Sequence, residues 1–160
     1  MNLDKQLSEV QLLPTQNWGK LISVARKQFE EWTLRSLTKH GYANFKIAYM
    51  PVLMNIGPEG MGNKELAQRA RVTKQAMSKV LKELQDSGYI TSKVSKEDKR
   101  NSIISLNDKG KKLVVLSRQC MIDLMDQYRN AFGKKDFDAM LQLLQKMIEY
   151  NDKVLLRVDA

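Results

Sequence analysis

One cysteine, Cys120, and one histidine, His40, are all that this 160-residue chain has of either type. A single thiol forms no intramolecular disulfide and no thiolate zinc cluster. A single imidazole excludes multi-histidine metal sites and leaves little material for a Ser-His-Asp arrangement. The commonest enzyme constellations are therefore missing, and the chain is expected to be no enzyme and to need no metal or cofactor. Only 3 Pro and 8 Gly interrupt it. The apolar runs are short, Leu113-Val114-Val115-Leu116 being typical, so no membrane span or membrane partner is expected. Met1-Asn2-Leu3-Asp4-Lys5-Gln6 has no apolar signal region, which reads as cytoplasmic and not secretory.

What is present is a helix-rich composition with 42% hydrophobic and 28% charged residues, enough for one domain with a genuine core. The formal net charge is +9, and its distribution is uneven. Residues 1–62 carry 7 basic and 5 acidic side chains, residues 63–112 carry 13 and 6, and residues 113–160 carry 7 and 7. Nearly all the excess lies in the middle third, and phosphate backbones are the commonest partner for such a patch. A basic bias that serves solubility alone is the plainer alternative.

Apolar spacing at Trp18, Ile22, Ala25, Phe29 and Trp32 predicts an amphipathic helix from about Thr15 to Lys39, closed by His40-Gly41. A second helix is expected over Ile47 to Ile56, with a bend or late start at Pro51. Two short helices follow, Lys64 to Arg71 capped by Asn63 and Lys74 to Asp86 capped by Thr73, the latter stopping at Ser87-Gly88. Tyr89 to Ser95 and Ser102 to Leu106 are rich in β-branched residues and read as two strands around a polar hairpin tip, Lys96 to Asn101. A long helix runs from Asn107 to about Phe132. After a turn at Gly133-Lys134-Lys135, a last helix capped by Asp136 continues to about Leu156. The fold class expected is mainly α with a small antiparallel β wing.

Helix, turn, helix, strand, polar hairpin, strand is the order of a winged helix-turn-helix. Its second helix is two-faced: Met77, Val80, Leu81 and Leu84 share one side, while Gln75, Ser78, Lys79 and Lys82 lie about 160° away at ~100° per residue. Amide, hydroxyl and ammonium groups on such a face read base edges and phosphates in a major groove, with contacts concentrated near the helix N-terminus. Thr73, Lys74, Gln75, Ser78 and Lys79 are assigned to the groove, and Lys64, Arg69, Arg71, Lys82 and Lys96 to phosphates. In the hairpin tip, Arg100 suits the minor groove, Lys99 lies beside it, and Asp98 is placed to hold the guanidinium fork. An ordinary solvated helix face and a solvated charged turn remain the alternatives.

Glu65-Leu66-Ala67, Thr73 to Ser78, Leu84 to Gly88, Tyr89-Ile90, Asp98-Lys99-Arg100 and Leu106-Asn107-Asp108-Lys109-Gly110 together resemble the MarR (multiple antibiotic resistance regulator) family. The likeness is dense from Lys64 to Lys112, and Asn107 departs from the family's usual Thr without loss of capping ability. The resemblance implies a homodimeric transcription regulator of near-palindromic duplex sites, often a repressor released by a small ligand or by oxidation. It also implies the wing role of Asp98 and Arg100. On this reading residues 1–160 form a single MarR-like domain: 42–112 are the winged helix-turn-helix lobe, and 1–41 with 113–160 supply the dimerisation helices.

Two further stripes suit an intersubunit bundle, Leu113, Leu116, Cys120, Leu124 and Tyr128 on one helix, and Phe137, Met140, Leu141, Leu144, Met147 and Ile148 on the next. They would equally close onto their own subunit. Cys120, on its stripe, is expected to be a small buried hydrophobe and not an oxidant sensor. Trp18, Phe29, Tyr42, Phe45, Tyr49, Met50 and Met54 either line a pocket for a small aromatic or amphipathic ligand or belong to the core. His40 stands near that pocket, between the dimerisation helices and the DNA-binding lobe, as a further lining candidate, and suits a helix end facing carbonyls better. Two rival functions stay open: a winged helix for protein or RNA contact, and an enzyme of carboxylate or lysine chemistry, for which no clustered pair is found.

Overall fold

The computed structural model describes residues 3–9, 17–71, 73–94 and 102–155. A short helix α1 (Leu3–Glu9), which no periodicity had marked, precedes α2 (Trp18–Lys39), whose N-cap Asn17 accepts from the Lys20 amide at 2.9 Å. A 3-10 turn (Ile47–Tyr49) leads into α3 (Met50–Asn55), so Pro51 sits in the first turn, where no amide donor is needed. The expected single helix over Ile47 to Ile56 is thus a tight turn followed by a late-starting helix. Strand β1 (Met61–Gly62) runs into α4 (Asn63–Arg69), then come α5 (Lys74–Asp86), β2 (Ile90–Val94), β3 (Ser102–Leu106), α6 (Asp108–Phe132), α7 (Lys134–Tyr150) and a wide final turn over Asn151–Leu155.

Two expected caps are corrected. Asn63 is the first residue of α4, and Gly62 takes the cap position because its backbone is still extended as part of β1. Asp136 lies inside the first turn of α7, whose cap is Gly133 at φ +89. The last helix ends at Tyr150, short of the expected Leu156, which lies outside the described residues. Cys120, expected to be a small buried hydrophobe, is half-buried, and its sulfur accepts from the Ser36 hydroxyl at 3.3 Å.

The core gathers one or two side chains from each element of the lobe. Leu37, Val52, Leu53, Leu66, Met77, Leu84, Ile90, Ile104 and Leu113 are almost completely buried, and each contributes about 1.5–3 kcal/mol by leaving water. The sheet is antiparallel in the order β1-β3-β2, with Met61 opposite Ile104 and Ile90 opposite Leu106. Only Ile90 of β2 is buried, while Thr91 to Val94 are exposed, so β2 runs out from the core after its first residue and β3 stays anchored to the core through Ile104. The two-residue β1 is too short for any periodicity to mark.

The corner between wing and long helix explains the Leu106 to Gly110 motif physically. Asn107 caps α6 by accepting from the Gly110 amide at 3.0 Å, and its side-chain amide donates to the Gly88 carbonyl. Lys109 donates to the Ser87 carbonyl at 2.9 Å and lies 4.4 Å from the centre of the Tyr89 ring. Gly110 passes so close that a Cβ there would stand 2.1 Å from the Tyr89 carbonyl oxygen. These contacts lock the start of α6 onto the end of α5.

Candidate nucleic-acid interface

Helix α5 is held at both ends by local chemistry. The Thr73 hydroxyl accepts from the Ala76 amide at 3.3 Å, satisfying one of the free donors of the first turn. At the other end Gly88, at φ +72, lets its own amide reach the Gln85 carbonyl and the Tyr89 amide reach that of Leu84. Between these caps Met77, Leu81 and Leu84 are buried, Val80 is half-buried, and Gln75, Ser78, Lys79 and Lys82 are exposed. The two faces expected from spacing are therefore the two faces observed.

Thr73 and Gln75 lie at the exposed N-terminal end of α5. Lys74 opens the helix, its side chain lying outside the described set. Of the residues assigned to phosphates, Lys64 and Lys82 are exposed. Arg69 pairs with Glu65 at 2.6 Å, and Arg71 pairs with Asp152 at 2.7 Å. Arg71 also adopts φ +52, a left-handed conformation that an L side chain enters only at a cost. Lys96, Asp98, Lys99 and Arg100 lie outside the described residues.

Sequence reasoning missed Glu83. Its Oε2 accepts from Lys46 Nζ and from the Tyr49 hydroxyl, both at 2.5 Å, which ties α5 to the 3-10 turn before α3. The Lys46 hydrogen bond, then that of Tyr49, holds the Glu83 carboxyl below its ordinary range, and the Lys79 charge adds to the effect. The same contact with Glu83, then that with Tyr49, raises the Lys46 ammonium. A partner 37 positions away leaves no local signal.

Beneath this turn, α2, α3 and α6 enclose a cavity of about 650 Å³. Phe29, Met50 and Met54 line it together with Trp32, Ile47, Ala48 and Cys120. The other residues named for a pocket are placed elsewhere. Trp18 lines a separate groove with Met140, Leu143 and Met147 of α7. Phe45 is in the core, edge-on to Tyr89 with centroids 5.3 Å apart, and Tyr42 and Tyr49 pack against that core. His40 is exposed at the end of α2, where Nδ1 donates to the Ser36 carbonyl at 2.8 Å.

Comparison with known proteins places this geometry. Residues 44–101 match the model of the MarR family. The chain is 32% identical over 101 residues to a protein of Rhizobium meliloti (strain 1021) named as the exopolysaccharide II synthesis transcriptional activator ExpG. That match spans 63% of this chain and 52% of the relative, about half its length. Among solved structures, a MarR transcriptional regulator from Methanosarcina mazei Go1 superposes with a TM-score of 0.73 at 20% identity, covering 85% of this chain and 96% of that one. The transcriptional repressor CouR, bound to a 23-mer DNA duplex, gives 0.72 at 20% identity over 84% and 94%. CouR from Rhodococcus jostii RHA1 with p-coumaroyl-CoA gives 0.69 at 16% identity over 86% and 95%. This chain has the winged-helix fold seen in MarR regulators, and its residues 44–101 are similar to the MarR family.

Proposed function

We propose that this protein is a cytoplasmic transcription regulator that binds near-palindromic duplex DNA as a homodimer, represses from that site, and is released by a small ligand. The observation that carries the reading is the exposed polar face of α5, Gln75, Ser78, Lys79 and Lys82, set opposite the buried Met77, Leu81 and Leu84. Thr73, Lys74, Gln75, Ser78 and Lys79 enter the major groove, Lys64, Arg69, Arg71, Lys82 and Lys96 meet phosphates, and Asp98, Lys99 and Arg100 of the wing reach the minor groove.

A dimer is supported by apolar surface that a lone subunit leaves in water. Trp18, Ile22 and Phe29 of α2 and Met140, Leu143 and Ile148 of α7 are all exposed, although their spacing makes continuous stripes. Covering them against a second copy gives residues 1–41 and 113–160 their dimerisation role and spaces two α5 helices for successive major-groove faces, ~34 Å apart. The cavity beneath the 3-10 turn receives the releasing ligand.

The sign of regulation depends on where the operator lies relative to the polymerase site. Activation is the second reading, favoured by the Rhizobium relative, which is named as an activator. The direct test is titration of a bound duplex with Gln75→Ala and Lys79→Ala. Each is expected to lower affinity by about 1–3 kcal/mol where it contacts a base edge. Unchanged affinity in both, with α5 intact by circular dichroism, removes the groove assignment and favours a protein- or RNA-binding winged helix.

A further inference from the structure

The cavity offers a ligand very little to accept a hydrogen bond from. Three hydroxyls line it, and each is already committed as a donor: Thr33 to the Phe29 carbonyl at 2.8 Å, Ser117 to the Leu113 carbonyl at 2.8 Å, and Ser36 to Cys120 Sγ at 3.3 Å. Among the described lining residues Arg26 is the one cation, and its charge is paired with Glu30, to which one guanidinium nitrogen donates at 3.0 Å. Glu31 also lines the space, so the charged groups sum to one net negative charge. The remaining polar side-chain donor is the indole N–H of Trp32, which carries no charge. A carboxylate brought into this space loses its hydration and meets, among the described residues, no cation whose charge is not already paired, a cost that one neutral N–H does not offset.

The acceptor side is richer. Each committed hydroxyl oxygen keeps a lone pair, and of the two lining carboxylates Glu31 is exposed on α2 while Glu30, half-buried, is paired with Arg26. The body of the cavity is aromatic and thioether: Phe29 and Trp32 lie nearly parallel, with centroids 6.2 Å apart, near Met50 and Met54. Aromatic faces and soft sulfur suit a flat apolar body, and ring faces attract a cation electrostatically.

We propose that the effector of this cavity is a lipophilic organic cation, a one- to three-ring body carrying an ammonium group directed at Glu31, and that aromatic carboxylates are excluded. The inference rests on reading the cavity as the effector site. It differs from the charge of the whole chain, since a +9 protein would by net charge alone attract anions. The selectivity is set locally, by which donors are already spent.

A matched series of naphthalene derivatives tests this on the full-length protein by isothermal titration calorimetry: naphthylmethylammonium, naphthylmethanol and naphthoate. The ammonium is expected to bind tightest and the carboxylate weakest, with about a tenfold step between extremes. Glu31→Gln, an exposed substitution, is expected to weaken the ammonium roughly threefold while leaving the alcohol unchanged. Carboxylate binding as tight as ammonium binding overturns the charge assignment while leaving the effector site in place. Absence of binding by all three overturns the cavity as an effector site, and DNA affinity measured on the same preparation shows that the regulator reading survives that failure.

Discussion

The Arg71 guanidinium donates to the Asp152 carboxylate at 2.7 Å, joining the turn between α4 and α5 to the final turn of the described chain across 81 positions. Arg71 was assigned to a phosphate, and in the free protein its charge is engaged by a carboxylate. Phosphate and Asp152 therefore compete for one cation. Asp152→Asn is expected to tighten duplex binding by up to about 1 kcal/mol, because Arg71 then reaches its phosphate without first giving up a surface ion pair. Affinity equal to that of the unaltered protein places Arg71 away from the duplex.

Lys82 is exposed and sits about two turns from the N-terminus of α5 at ~3.6 residues per turn, beyond the positions that reach base edges. Lys82→Ala is expected to lower the salt slope by about one unit and to weaken all duplexes alike. A sequence-dependent loss would assign Lys82 to a base.

Glu83 gives a pH signature. Lys46 and Tyr49 hold its folded carboxyl below the ordinary value of 4.5. A depressed carboxyl contributes stability that is present above the unfolded value and disappears as pH falls through the folded one. The difference in melting temperature between the unaltered protein and Glu83→Gln is thus expected near neutrality and is expected to shrink as pH drops below 4.5. A difference that stays constant down to strongly acidic pH means that the carboxylate is not what Lys46 and Tyr49 grip.

Gly110 separates two opposed effects. Alanine within a helix is favoured over glycine by about 1 kcal/mol, yet a Cβ here meets the Tyr89 carbonyl at 2.1 Å. Overpacking of that severity costs about 1–3 kcal/mol, so Gly110→Ala is expected to lower the urea midpoint. A raised midpoint would show that the α5–α6 corner relaxes freely.

Local chemistry made much of this fold legible. Thr73 and Gly88 bound α5 because hydroxyl capping and a left-handed glycine act within four residues. Asn107 starts α6 for the same reason, and Pro51 delays α3 through its missing amide. The assignments that failed depended on neighbours outside the window. Asn63 is a good cap by type, yet β1 pairs with β3 and keeps Gly62 extended, which moves the helix start by one residue. Asp136 lost the cap to Gly133, whose φ of +89 turns the chain sharply between α6 and α7. The grip of Lys46 and Tyr49 on Glu83 and the Arg71–Asp152 pair are written in no spacing, because their partners meet only after the chain has folded. The donor commitments around the cavity are of the same kind: Ser36 and Cys120 are 84 positions apart.

Loss of the dimer is readable separately from loss of the fold. Leu143 is 66% exposed in the single chain, so Leu143→Glu is expected to leave the helical content unchanged. It is also expected to convert a dimer to a monomer in sedimentation and to reduce duplex affinity along with it. A dimer that persists in this variant places the interface elsewhere.

The central claim is that a pair of α5 helices reads sequence in duplex DNA. Selection of binding sites from a random duplex pool at near-physiological salt, followed by sequencing, tests it most directly. The account predicts enrichment of a two-fold symmetric motif whose half-sites lie about one helical turn apart. Retention of duplexes with no enriched motif, or retention of none, would contradict it.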